Sequence, residues 1–65
     1  MNIAELKKER RRLFDDLVAT AFAIELAQED QALPDVIRGL SERHNKAKSR
    51  FDMFDEEHPE IRNYI

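Results

Sequence analysis

The run LVATAFAIELA, Leu17–Ala27, holds only two polar residues, Thr20 and Glu25. Acidic pairs flank it, Asp15–Asp16 before and Glu29–Asp30 after. Its Ala, Leu and Glu favour helix, and no glycine or proline interrupts it. It is far shorter than the roughly 20 apolar residues that cross a bilayer. It is also too uniformly apolar for a helix that buries a single stripe. What covers the rest of this helix is the question on which the fold turns.

A chain of 65 residues makes one small domain. Domains this small hide a modest fraction of their surface and often need a disulfide, a metal or a partner. There is no cysteine, hence no disulfide and no thiolate metal site, and the composition fits a reducing compartment. The opening MNIAELKKERRR lacks the apolar run of a signal peptide, so a cytoplasmic protein is expected. One glycine and two prolines leave little turn chemistry and no room for many strands. With 38% charged residues and abundant Ala, Leu, Glu, Lys and Arg, the composition points to an all-α fold.

Working outward from the run, the first helix is expected over about residues 2–31. Asn2 is a good N-cap, and Glu5 stands three residues on, as a capping box requires. Apolar residues recur at Ile3, Leu6, Leu13, Leu17, Ile24 and Ala27, a heptad-like stripe with Arg10 and Thr20 as its polar members. Leu33 precedes Pro34, which pushes it out of the helical region. Pro34 suits the first position of a second helix, expected over about residues 34–57, and Asp35 suits its positive end. Ile37, Leu40, His44, Ala47, Phe51 and Phe54 continue the pattern, and Pro59 ends it. The short connection makes the helices antiparallel neighbours. Residues 1–58 thus read as a helical hairpin. Residues 59–65 form a tail in which Ile61, Tyr64 and Ile65 either fold back on Ile3 and Leu6 as one more turn or remain exposed for docking.

Charge supports the same pairing. Residues 7–12 carry five bases and one acid, and residues 13–37 six acids and no base; residues 38–50 carry five bases and one acid, and residues 52–60 five acids and no base. A turn at 31–34 pairs residues whose numbers sum to about 65. Lys7–Arg12 then lies beside Asp52–Glu57, Asp15 and Asp16 near Lys48 and Arg50, and Glu29 and Asp30 near Arg38. Each exposed pair contributes about 0–1 kcal/mol; together they favour the antiparallel register. Phe51 falls opposite Phe14, Ala47 opposite Val18, His44 opposite Ala21 and Leu40 opposite Ile24.

On a wheel of about 100° per residue centred on Leu17, Leu13, Phe14, Ala21, Ile24 and Gln28 lie within about 60° of it. These residues form the expected seam, with Ile37, Leu40, His44, Ala47, Phe51 and Phe54 facing them. Phe22, Leu26, Ala19 and Ala23 lie at about 140°, 180°, 200° and 240°. They make a second stripe that the other helix cannot cover. Self-association of two hairpins into a four-helix bundle is the expected remedy, with docking of a different protein as the alternative.

The remaining signals are bland. Lys7–Arg12 resembles a nucleic-acid patch, but the chain has a net charge of −3, an acidic block is expected alongside, and no aromatic residue interleaves. His44 has no companion ligands on its face, and His58 sits at a solvated helix end. No phosphate loop, HExxH or activated nucleophile is present. Neither catalysis nor a cofactor, metal, small-molecule substrate or membrane is therefore expected. In length and layout, a dimerising helical hairpin resembles the Rop family of plasmid copy-number proteins, which implies RNA binding; the likeness is architectural, and no residue is carried over. The reading reached is a non-enzymatic interaction module that self-associates through its first helix, a regulator, inhibitor or adaptor of a larger protein. An RNA-binding dimer or an assembly hairpin is the alternative.

Overall fold

The computed structural model describes residues 2–64, and the side chains of residues 2–61. Helix α1 spans Ile3–Glu29, helix α2 spans Pro34–Glu57, and a 3-10 helix spans Pro59–Tyr64. The two long helices pack against each other as a hairpin. No helix among the described residues is long and apolar enough to cross a membrane.

Each helix end has a local cause. Asn2 caps α1: its side-chain oxygen accepts from the Glu5 N–H at 2.9 Å. Its amide also donates to the Glu5 carboxylate, so the reciprocal half of the cap joins side chain to side chain. Helix α1 closes in a Schellman motif. The Ala32 N–H donates to the Ala27 carbonyl at 2.9 Å, and the Gln31 N–H to the Gln28 carbonyl at 3.1 Å. This requires Gln31 at φ 56°, in the left-handed region. Leu33 caps α2 without a side-chain bond, and Pro34 opens the first turn.

The seam follows a strict heptad. Ile3, Leu6, Arg10, Leu13, Leu17, Thr20, Ile24 and Ala27 are all buried or half-buried on α1; Ile37, Leu40, His44, Ala47, Phe51 and Phe54 are so on α2, and His58 at its C-cap. Three residues that the wheel put in the seam are outside it: Phe14, Ala21 and Gln28 are exposed. The wheel was centred on Leu17, which lies at one edge of the seam. Leu13, Leu17, Thr20 and Ile24 lie at about −40°, 0°, −60° and −20°, so the seam is centred near about −30°, and Phe14 and Ala21 lie about 90° and 70° from it. Phe14 keeps an edge contact, its ring 6.0 Å from that of Phe51.

Burial is concentrated at the open end of the hairpin. Leu6, Leu13, Phe54 and Ile61 form the cluster, with Ile3 and Phe51 against it. The tail folds back: Ile61 is 1% exposed, so that residue is not part of a free docking tail. The side chain of Tyr64 and all of Ile65 lie outside the described residues.

Candidate interaction surface

Outside the seam, α1 presents a second apolar feature. Phe14, Val18, Phe22 and Leu26 are 45%, 51%, 58% and 43% exposed. They follow one another at steps of four, so they form a ridge that climbs about 40° around the helix at each step. It starts beside the seam at Phe14 and ends opposite α2 at Leu26. Of the stripe expected from sequence, Phe22 and Leu26 belong to this ridge, Ala19 is exposed beside it, and Ala23 is half-buried. The wheel missed Val18 as a member and placed Phe14 in the seam; the i, i+4 spacing of large apolar residues was the available signal. Leu33 and Val36, at the turn, add exposed apolar area at 71% and 49%.

The molecule is long for its mass. It measures 43 × 15 × 15 Å with a radius of gyration of 14.3 Å, against about 11 Å for a compact chain of this length. Its accessible surface is 5101 Å², where a compact monomer of 7.7 kDa exposes about 4300 Å². The excess of about 800 Å² equals one side of a standard protein–protein interface.

The basic run on α1 is largely engaged. Arg10 donates twice to Asp55 across the seam, at 2.9 and 3.3 Å, and lies 4.8 Å from the Phe51 ring centroid. Arg11 pairs with Asp15, and Arg12 with Glu9 and Asp16. The hydrogen bond from Arg12 holds the Glu9 carboxyl below its ordinary value, and the same bond raises Arg12. Asp15 thus pairs within its own helix and not with Lys48. Arg38 bonds Asp35 on its own turn and not Glu29 or Asp30. Long side chains three or four residues apart on one helix meet at less conformational cost than partners across a seam. Among the described residues, Arg10–Asp55 is the one ion pair joining α1 to α2.

A shallow cleft of about 300 Å³ lies between the helices, lined by Asp16, Thr20, Arg43, Lys46, Ala47 and Arg50. None of its three basic residues is ion-paired among the described residues. On the wheel Asp16 lies at about −100° and Phe14 at about +60° from Leu17. The cleft and the start of the apolar ridge therefore sit on opposite sides of the two-helix layer. Beside the cleft, Thr20 Oγ1 lies 2.8 Å from His44 Nδ1, which makes His44 a seam residue with a partner. His58 packs against Phe54 in a tilted arrangement, 4.8 Å between centroids, and lies 3.6 Å from Glu60. No group of three or more His, Cys, Asp or Glu among the described residues is placed to hold a metal ion.

Comparison with known proteins finds no matching family model, no matching curated protein and no matching solved structure.

Proposed function

We propose that the protein is a non-enzymatic interaction module whose working surface is the outer ridge of α1, and that it self-associates through this ridge. The observation that carries the reading is the line Phe14, Val18, Phe22, Leu26, in which four residues at steps of four along one helix leave large apolar side chains about half exposed. Isolated exposed apolar residues are ordinary, but a contiguous line of them on a small chain marks a docking surface. A regulator, inhibitor or adaptor of a larger protein is the role such a module serves, with its own dimer as the folded unit. RNA binding is less well supported. The bases Arg43, Lys46 and Arg50, unpaired among the described residues, span about 10 Å of helix, and the acids Glu25, Glu29 and Asp30 toward the turn and Asp52, Glu56 and Glu57 toward the open end repel a longer polyanion.

Light scattering at micromolar concentration tests the reading. The expected mass is twice the 7.7 kDa of the chain. A single-chain mass at every concentration accessible to the measurement would overturn self-association.

A further inference from the structure

Resting on that reading, we infer that the occupant of the ridge is a second copy of this chain, packed antiparallel, with a two-fold axis passing beside residue 20 and the two α1 helices crossing steeply. The ridge is self-complementary about that point. Phe14 and Leu26 are equidistant from residue 20, as are Val18 and Phe22. An antiparallel two-fold therefore sets Phe14 against Leu26 of the other copy, and Val18 against Phe22. An isologous contact needs such a patch, one that matches itself under the symmetry operation. At the centre the smaller Val18 faces the larger Phe22, with Ala19 and Ala21 exposed on either side to let the backbones approach. A parallel arrangement would instead bring Phe22 onto Phe22 and Val18 onto Val18, a bulge beside a gap.

Charge favours the same direction. Lys7 and Lys8, near the N-terminal end of α1, and Glu25 and Glu29, near its C-terminal end, have no ion-pair partner among the described residues, whereas Arg11 and Arg12 are paired within the helix. Antiparallel packing brings each basic end toward the partner's acidic end and opposes the helix dipoles favourably. Parallel packing would align like with like. The spacing of the ridge sets the crossing. Side chains at steps of four form the i±4n row, and two such rows interdigitate at about −50°. The shallow crossing of about +20° found in left-handed four-helix bundles needs a heptad seam, and no such seam keeps the whole ridge: the one through Val18 and Phe22 takes in Arg11, Asp15, Glu25 and Glu29, and the one through Phe22 and Leu26 leaves out Phe14 and Val18. The elongated chain exposes about 800 Å² more than a compact monomer of its mass, surface that a second copy along α1 would help to cover.

The chain has no cysteine, so Lys8→Cys gives a single spin label on an exposed position of α1. Pulsed electron spin resonance then reads the distance between the two copies. Residue 8 stands 12 residues from the axis, so antiparallel packing places the labels about 35 Å apart, and parallel packing less than about 20 Å apart. A doubled mass with a distance near 35 Å is the expected result. A doubled mass with the short distance would overturn the antiparallel register while leaving self-association standing. A single-chain mass with no intermolecular distance would overturn both.

Discussion

Arg10 occupies the stripe position between Leu6 and Leu13, where a heptad would ordinarily take an apolar residue. Its side chain is 20% exposed and that of its partner Asp55 16%. A guanidinium there is tolerable because it is compensated: the carboxylate takes two N–H groups, and the Phe51 ring centroid lies 4.8 Å from the guanidinium carbon. The pair also selects register, since sliding α2 by one turn would strand a half-buried cation. Asp55→Ala should therefore cost about 1–3 kcal/mol, as for hydrogen bonds to charged groups. Urea denaturation measures it. A loss below about 0.5 kcal/mol, the size of an ordinary surface change, would mean that water substitutes for the carboxylate and that the pair does not set register.

At the scale of the element, α2 carries a defect that is cheap to repair. Gly39 lies inside the helix, and a Cβ placed on it meets nothing within 4 Å. Gly39→Ala should then stabilise the protein by about 0.5–1 kcal/mol through backbone entropy alone. For a domain of this size that is a rise in Tm of roughly 2–8 °C, readable by circular dichroism. An unchanged or lowered Tm would reveal a neighbour on that surface, because only a contact absent from the single chain could offset the gain.

Both helices were legible in the sequence because their signals are local. The Asn2 cap, the Pro34 start and the three–four spacing of Leu6, Leu13 and Leu17 each act within a turn or two. The end of α1 was harder to read. A Schellman motif usually announces itself with glycine, and here Gln31 takes the left-handed position, so the sequence shows no punctuation there. The rim charges were misplaced for a related reason. Block charge identifies which segments attract, but the individual partner is decided by side-chain reach, and Asp15 and Arg38 find theirs on the same helix. Phe14 and Ala21 were misplaced because the wheel was centred on Leu17, at one edge of the seam, and not on the middle of the stripe. The candidate surface was half legible: Phe22 and Leu26 stand out on a wheel, whereas Val18 emerges only from the i, i+4 spacing that links it to Phe14 and Phe22.

For the whole molecule, the buried cluster at the open end and the long exposed ridge on α1 imply different stabilities alone and in company. Two-state unfolding of a dimer of such chains absorbs about 90 kcal/mol. Mass action then raises the midpoint by about 5 °C for each tenfold increase in protein concentration. A monomer has no such dependence, so the slope itself reports the assembly. Phe22→Asp sharpens the test. Phe22 is 58% exposed in the single chain, where the substitution is a surface change of about ±0.5 kcal/mol. Across an isologous contact it puts two carboxylates into a desolvated interface, one from each copy, and removes two aromatic rings. The expected outcome is loss of the slope together with a large fall in Tm, since each hairpin is left with only its small open-end cluster. A wild-type Tm that ignores concentration would remove the dimer. A slope that survives Phe22→Asp undiminished would move the contact elsewhere on the hairpin, with the turn residues Leu33 and Val36 the next apolar surface to substitute.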